Sequence, residues 1–300
     1  MLRSLFAGKK IMKNGEKIVN ILIEHEGRQR IAFLPYKRQM WDSMKSVYEA
    51  AVRAGLDAKV FPIPYYERDE QGRLASKHLE MGYGIDTRRP EEFFREDFGL
   101  IVIHNPYDDK NKVTSVDPDF YSERLKEYGK IVYIPYYAGG SGESFRKKPG
   151  ARNAEYIFTA TEEDREGFKN LYPEKKVFAT GSPKTDGAEE IGEGNHTLVA
   201  TSLGAFIRDP MGRLRRYKEV LQKEENVIFR PHPLLGATVR SMAPKSILAY
   251  EDLMKWAKEN CEIDEYGVVA ETMAKCNRLV TDRSSIIEIW KLTGRPYEIM

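Results

Sequence analysis

Two polar segments in the last third of the chain carry residue types that bind phosphate groups. In residues 226–233, a short apolar run leads into Arg230-Pro231-His232-Pro233. The prolines favour an extended backbone, in which side chains two positions apart point to the same side, so Arg230 and His232 can converge on one ligand. A guanidinium and an imidazole at one spot suit a phosphate or diphosphate. The structural alternative is a surface arginine beside a histidine that is satisfied within a proline-rich turn.

The second segment, residues 279–288, leads from a predicted strand into a predicted helix. Asp282 lies in the turn, and Ser284 and Ser285 open the helix. Free N–H groups and the positive end of a helix dipole attract anions, and two hydroxyls add donors. The alternative is a capping box between Ser285 and Glu288, which needs no ligand. Both interpretations can hold, because capping uses only some of the free donors.

The elements that must position these residues alternate between strands and helices. The predicted strands are continuous apolar runs, which are typical of a parallel sheet covered on both faces. The first series of strands comprises residues 30–36, 58–64, 99–107, 130–140, 154–161 and 175–186. The second series comprises residues 196–202, 226–233, 261–265, 278–282 and the start of a last strand at 296–300. The main helices are predicted at residues 40–55, 162–170, 213–223, 239–259, 267–276 and 284–293, with a break possible at Pro244. Residues 65–73 are predicted as a polar loop after the second strand.

This order predicts an α/β fold with two Rossmann-like parallel-sheet domains facing across a cleft. A chain of 300 residues fits two domains. Residues 187–195, rich in Gly and Glu, are predicted as the linker between domains at 1–188 and 196–300. Ligands of such sheets bind at the carboxyl ends of the strands. The apolar run at Met300 leaves two alternatives open: a last buried strand, or a second domain that is incomplete at its C-terminus.

Composition narrows the class of protein and its location. With 48 basic and 46 acidic residues, a net charge of +2 gives no field that favours nucleic acid, and we expect no nucleic-acid partner. Two cysteines without a CxxC pair, and no apolar run of membrane-spanning length, favour a cytoplasmic location. Residues 1–38 carry nine Lys or Arg against three Glu, which could rest on an anionic membrane surface. The alternative is a solvated N-terminal helix.

Together, the polar segments resemble the CDP-glycerol glycerophosphotransferase family, the teichoic-acid primases and polymerases. "VIFRPHP" is similar to the family's R-x-H-P strand end, and "LVTDRSSIIEIWKLTGRP" to its D-x-S-S segment followed by G-x-P. "ATGSPKTD", at 179–186, is similar to its G-x-P-R-x-D segment, with Lys184 in place of Arg. The resemblance covers about residues 176–300 and implies the GT-B fold, two Rossmann-like domains across a cleft.

The resemblance also implies an activity. It is the transfer of glycerol phosphate, or a similar polyol phosphate, from CDP-glycerol or a related CDP-polyol to a polyprenol-linked or glycan acceptor, with CMP leaving. Asp186 would orient the substrate, and Asp282 the polyol, the ribose or the loop itself. No metal or other cofactor is required, and a peripheral position at the inner face of the cell membrane is expected. The residues that match the diphosphate-binding positions are Arg230, His232, Ser284 and Ser285.

The sequence departs from the family at the general base. The matching strand end reads "YIPYYAGG" and lacks the family's His-Gly pair; Tyr137 stands there, and a tyrosine with a pKa near ~10 is a poor base. His104, followed by Asp108 and Asp109, is the other candidate base, and a histidine that bonds the backbone in a turn is its alternative. Two rival functions stay open: a nucleotide-sugar glycosyltransferase of the same fold, and a non-catalytic nucleotide-binding relative that has lost the base.

Overall fold

The computed structural model describes residues 12–139, 143–188, 194–264 and 268–300, which form two parallel sheets and a small antiparallel one. In chain order the strands are β1 (Ile31–Phe33), β2 (Ala58–Val60), β3 (Tyr65–Arg68), β4 (Leu74–His78), β5 (Leu100–Ile103), β6 (Thr114–Val116), β7 (Lys130–Tyr133), β8 (Tyr156–Thr159), β9 (Lys176–Ala179), β10 (His196–Ala200), β11 (Val227–Arg230), β12 (Glu262–Ile263), β13 (Cys276–Thr281) and β14 (Tyr297–Ile299). The helices are α1 (Asn14–Glu26), α2 (Asp42–Arg53), α3 (Ser122–Leu125), α4 (Glu143–Arg146), α5 (Pro149–Asn153), α6 (Glu162–Leu171), α7 (Leu203–Arg208), α8 (Pro210–Lys223), α9 (Leu235–Met242), α10 (Ile247–Asn260), α11 (Val269–Ala274) and α12 (Ile286–Lys291).

The first sheet has the order β2-β1-β5-β7-β8-β9, and all its pairs are parallel. Its strands are apolar on both faces because both faces are covered. In β5, Ile101 and Ile103 pack into one hydrophobic cluster while Leu100 and Val102 pack into the cluster on the other side. The strands therefore read as continuous apolar runs because both faces of the sheet are buried, as the sequence pattern predicts.

The second sheet has the order β12-β11-β10-β13-β14 and is also parallel throughout. The chain leaves β10 for β11 on one side and later returns to β13 on the other. This reversal opens a crevice at the carboxyl ends of β10 and β13, the place where ligands of such sheets bind. In the first sheet the corresponding reversal lies between β1 and β5.

Two local predictions differ from the structure, and a third is confirmed. Residues 65–73, predicted as a polar loop, form β3 and the turn of a hairpin with β4, which pairs antiparallel. The helix predicted at 284–293 begins only at Ile286 and ends at Lys291. The break at Pro244 within residues 239–259 is confirmed: the proline ring removes a backbone donor, and the segment divides into α9 and α10.

Part of the basic N-terminal segment, residues 1–38, packs into the hydrophobic core. Helix α1 buries Ile18, Val19 and Leu22 in a cluster of the first sheet, and β1 is fully buried. Residues 1–11, the start of the basic segment that could rest on a membrane surface, lie outside the described residues. In the described part of the chain, no helix has the length and apolar character needed to cross a bilayer.

The close approach of helices α1 and α2 can be tested at Gly15, with Gly204 in α7 as the control. A Cβ at Gly15 would lie 2.5 Å from the carbonyl carbon and oxygen of Ser46, whereas a Cβ at Gly204 in α7 would meet nothing within 4 Å. We expect Gly15→Ala to lower the free energy of unfolding by about 1–3 kcal/mol, because overpacking outweighs the better helix propensity of alanine. Gly204→Ala should leave it unchanged or raise it by less than about 1 kcal/mol. Urea denaturation of both variants checks this, and equal effects would contradict the close approach.

Candidate functional site

A cavity of about 120 Å³ lies between the carboxyl ends of the two parallel sheets. We call it the inter-sheet cavity. Each of its walls comes from residues at or after a strand end, as expected for α/β sheets. Its lining from the side of the first sheet is Gln39, Met40, Tyr136, Tyr137 and Lys184, and from the second Ala200, Thr201, Arg230, Pro231, His232, Pro233, Val269, Ser284, Ser285, Ile286 and Ile289.

The residues predicted to bind a diphosphate all line this cavity, although they lie about fifty positions apart in sequence. Arg230 is the last residue of β11 and is only 9% exposed. Its guanidinium forms an ion pair with Asp264 and lies 3.4 Å from Thr272 Oγ1. The charge of Arg230 is therefore compensated within the protein, and an anionic ligand would share the guanidinium with Asp264.

His232 presents a neutral imidazole with a defined tautomer. Its backbone N–H donates to Thr201 Oγ1 (2.9 Å), and its Nδ1 accepts the N–H of Leu234 (3.1 Å). Burial, together with the positive charges of Lys184, Lys37 and Arg230, lowers the pKa of His232 to about 3. The hydrogen of the neutral ring must then sit on Nε2, which is left to donate to a ligand.

Ser284 has a polar atom without a partner. Its Oγ is buried and has no hydrogen-bond partner in the described part of the chain. The capping-box alternative for the neighbouring segment is wrong: Ser285 makes no side-chain cap bond, and Glu288 pairs with Lys291 at 3.0 Å. A buried hydroxyl without a partner is destabilising unless a ligand completes it, so Ser284 points to a hydrogen-bonding ligand in the inter-sheet cavity.

Lys184 brings a cation to the cavity from the side of the first sheet. Its Nζ lies 3.3 Å from Asp42 Oδ1, and its side chain is 15% exposed. A second lysine, Lys37, is buried and pairs with Glu80 (3.4 Å). The sequence analysis identified Lys184 only as a replacement for Arg, and it missed Lys37. The signal for Lys37 is its position four residues after β1, close to a strand end.

His104, a candidate base, lies away from the cavity. It is fully buried, with Nδ1 2.9 Å from Ser43 Oγ and 3.2 Å from the Met40 carbonyl, while Nε2 accepts the N–H of Tyr36 (3.4 Å). Burial lowers its pKa to about 3. Both ring nitrogens are engaged, so this geometry favours the alternative of a histidine that bonds the backbone in a turn.

Tyr137, the other candidate base, does line the cavity. Its hydroxyl donates to Asp164 Oδ2 (2.5 Å), and Arg146 Nε donates to the other oxygen of that carboxylate (3.1 Å). Burial, and then the negative charge of Asp164, raise the pKa of Tyr137. A phenol whose pKa is raised keeps its proton near neutral pH, so the geometry disfavours Tyr137 as a base.

Asp282 is held by three donors from the segments that follow β10. Its carboxylate is 1% exposed and accepts the N–H of Ser202 (2.9 Å), a guanidinium N–H of Arg213 (3.0 Å) and the hydroxyl of Tyr217 (2.7 Å). These contacts tie the loop after β13 to the loop after β10. Of the roles expected for Asp282, the geometry favours orientation of the loop itself.

Asp186 has a similar position on the other side of the cleft. Its carboxylate accepts the N–H groups of Asn14 and Gly15, both at 2.8 Å, and the hydroxyl of Ser46 at 2.7 Å. It therefore caps α1 and joins it to α2. These bonds occupy both oxygens and favour a positioning role over contact with a substrate.

The described residues contain no group of three or more His, Cys, Asp or Glu side chains placed to hold a metal ion. The polar groups of the inter-sheet cavity are cations and neutral donors, apart from the carboxylates that pair with them. Such a set suits an anion rather than a metal.

Comparisons with known proteins bear on the fold. No protein-family model and no curated protein matches the chain. The UDP-GlcNAc 2-epimerase of Methanocaldococcus jannaschii, in complex with UDP-GlcNAc and UDP, is similar in structure with a TM-score of 0.55 and 11% identity, over 89% of this chain and 83% of that one. A putative UDP-N-acetylglucosamine 2-epimerase from Listeria monocytogenes gives 0.51 and 11%, over 90% and 78%. At these identities the likeness shows the fold alone, and it confirms the predicted α/β fold of two Rossmann-like parallel sheets of the GT-B type.

The burial of His104 makes stability depend on pH. The unfolded chain takes up a proton at this histidine near pH ~6.5, whereas the folded chain does so only near pH 3. Stability is then fully present above pH ~6.5 and is lost as the pH falls toward 3, by about 2 kcal/mol between pH 7 and 5 for this group. In His104→Asn, less stable at pH 7, the fall between pH 7 and 5 should be smaller by that amount. Urea denaturation at both pH values measures it, and equal falls would contradict a neutral buried His104.

Removing the charge of Asp282 should destabilise the second sheet. Asp282→Asn leaves Arg213 without its counter-charge and weakens the bond from Tyr217, so we expect the free energy of unfolding to fall by about 3 kcal/mol. Asp252→Asn is the control, because Asp252 pairs with Lys218 at the surface (2.7 Å, 66% exposed), where ion pairs contribute little. Chemical denaturation compares the two variants; similar small losses would show that Asp282 does not hold these loops.

Proposed function

We propose that this chain is a transferase that moves glycerol phosphate, or a similar polyol phosphate, from a CDP-alcohol to a polyprenol-linked or glycan acceptor, with CMP leaving. The observation that carries the proposal is the convergence of Arg230, His232 and Ser284 on one cavity at the carboxyl ends of β11 and β13, faced by Lys184. The resemblance of the same segments to CDP-glycerol glycerophosphotransferases supplies the substrate class. By the same resemblance, we place the enzyme at the cytoplasmic membrane face.

The size of the inter-sheet cavity supports an assignment to the diphosphate. Pockets for whole drug-sized ligands are roughly 300–1,000 Å³, whereas this one is about 120 Å³. It suits the anionic middle of a CDP-alcohol, with the cytidine and the polyol extending beyond it. A diphosphate needs donors on more than one side, and the cavity has them from both sheets.

The charges support phosphoryl transfer in particular. Such a reaction asks mainly for alignment of the reacting groups and neutralisation of charge on the leaving phosphate. In the proposed complex, Arg230 and Lys184 neutralise the diphosphate, while His232 Nε2–H and the Ser284 hydroxyl donate to its oxygens. The three cations that lower the pKa of His232 indicate a positive potential where the diphosphate would lie.

A nucleotide-sugar enzyme of the same fold is the second candidate. It is favoured by one observation: both solved structures described above carry names of enzymes of UDP-GlcNAc. A third candidate, a nucleotide-binding relative without turnover, is favoured by the hydrogen bonds that engage both His104 and Tyr137. The three candidates differ in which nucleotide binds and in whether it is consumed.

Thermal unfolding with CDP-glycerol, CMP or UDP-GlcNAc separates binding of the candidate ligands. A ligand at about 100 times its Kd adds roughly 2.7 kcal/mol to stability. We expect this gain with the cytidine ligands, and we expect it to be lost in His232→Ala and in Ser284→Ala, each compared with its own ligand-free melting temperature. The matched control is His196→Ala, which should keep the gain. His196 begins β10, so it lies at the amino end of the strand, whereas the cavity lies at the carboxyl end.

The other outcomes are equally decisive. A gain with UDP-GlcNAc alone would contradict the CDP-alcohol and favour the nucleotide-sugar enzyme. A gain with CDP-glycerol without release of CMP would favour the non-catalytic relative. A gain that survives in both cavity variants would show that the nucleotide binds elsewhere.

A further inference from the structure

A second, larger cavity of about 440 Å³ adjoins the first. It lies among α1, α2, the segment after β9 and α11, and Lys184 lines both cavities. Its lining is Lys13, Glu16, Asp42, Lys45, Ser46, Glu49, Arg53, Pro183, Lys184, Asp186, Gly187, Val268, Ala270, Glu271 and Ala274. The two cavities therefore meet at a cation, and a group bound in the larger one can approach a phosphate bound in the smaller one.

Asp42 differs from the other acidic residues of the larger cavity. It is 4% exposed, and neither carboxylate oxygen has a hydrogen-bond donor among the described residues. Among the described residues it forms one ion pair, with Lys184 at 3.3 Å. By contrast, Glu49 pairs with Lys45 at 2.8 Å at the surface, and both oxygens of Asp186 accept hydrogen bonds. A buried carboxylate without donors is costly to fold, which points to a ligand that supplies the donor.

We propose that the larger cavity binds the hydroxyl-bearing acceptor and that Asp42 is the general base of the transfer. The inference rests on the proposed function and adds the acceptor site and the general base. The sequence analysis had predicted His104 or Tyr137 as the base. The acceptor hydroxyl donates to an oxygen of Asp42, and Lys184 lies beside the place where this hydroxyl meets the diphosphate, because it lines both cavities. A hydroxyl is the donor that Asp42 lacks, and one oxygen can hold it while the other faces Lys184.

The step balances as follows. The acceptor oxygen forms a bond to the β-phosphorus of the CDP-alcohol, and its proton passes to Asp42. The bond between the β-phosphorus and the bridging oxygen breaks, and that oxygen leaves with its electron pair on the α-phosphate as CMP. Lys184 and Arg230 neutralise the charge that the leaving CMP gains, and Asp42 returns the proton to water after the products leave.

The test measures release of CMP from CDP-glycerol, with glycerol as a small polyol acceptor. In Asp42→Asn, which keeps the size of the side chain, we expect kcat to fall by about 100-fold or more, the usual effect of losing a general base. The KM for CDP-glycerol should not rise, because Asp42→Asn removes no donor to the diphosphate and relieves Lys184 of its counter-charge. Asp252→Asn removes a surface carboxylate that lines neither cavity and should keep the wild-type kcat.

Two further variants separate catalysis from folding. In Asp42→Ala, formate should restore part of the lost rate, because a small carboxylate can occupy the vacated space; a merely structural role would give no rescue. Asp42→Glu retains the charge opposite Lys184 while moving the carboxylate by one methylene. It should fold with the wild-type melting temperature, even if Asp42→Asn does not, and should still lose at least about 10-fold in kcat.

The outcomes distinguish this inference from the proposed function. If the wild-type chain releases CMP and Asp42→Asn or Asp42→Glu keeps its kcat, Asp42 is not the base and the transferase proposal stands. Absence of formate rescue in a folded Asp42→Ala would likewise overturn the role of Asp42. If the wild-type chain binds CDP-glycerol and releases no CMP, the transferase proposal fails, and this inference fails with it.

Discussion

Three cations at the carboxyl ends of the strands need counter-charges, and the rest of the site follows from how the chain supplies them. Arg230 pairs with Asp264, Lys184 with Asp42, and Lys37 with Glu80. Cations held in a poorly hydrated region without carboxylates would be destabilising by the desolvation penalty of their charge.

Each of these ion pairs joins a residue near a strand end to an acid on a different element. The charge requirement therefore fixes the geometry of the loops around the inter-sheet cavity. Helix α2 begins at Asp42, and Asp264 follows β12. Loops that would otherwise be free to vary are held by charge.

The same region fixes the two sheets against each other. Ala138, from the loop after β7, packs into a hydrophobic cluster of the second sheet, while Leu234 and Ala237, from the segment after β11, pack into a cluster of the first. At Gly139 a Cβ would lie 2.8 Å from Glu288 Cγ, so the loop after β7 meets the start of α12 closely. Segments that follow the strands of each sheet thus pack into the hydrophobic core of the other sheet. Apolar packing therefore positions the walls of the cavity together with the ion pairs.

Sequence reasoning succeeded where one physical pattern dominates. Continuous apolar strands separated by helices have few stable arrangements other than covered parallel sheets, so the fold class followed from the pattern. The convergence of Arg230 with Ser284 could also be expected, because carboxyl ends of parallel strands share one edge of a sheet.

What escaped prediction depends on contacts between distant residues. Asp282 and Asp186 are polar residues in loops, and only the folded chain reveals that each accepts three hydrogen bonds. Asp42 gave no signal, because an acid at the start of a helix is common and its lack of donors appears only on packing. His104 had the right residue type for a base, but burial and two engaged nitrogens decide against that use.

Compensation by carboxylates also sets what a bound diphosphate can gain. A site with bare cations would attract any anion strongly but would be costly to fold. Here each cation already has a partner, so a diphosphate gains only the difference between its own interactions and those that it weakens. The neutral donors, His232 Nε2–H and the Ser284 hydroxyl, make no hydrogen bond within the described part of the chain, so they stabilise only an anion whose oxygens reach them. The arrangement therefore favours a correctly shaped diphosphate over indiscriminate attraction of anions, which is the selectivity that the proposed transferase would require.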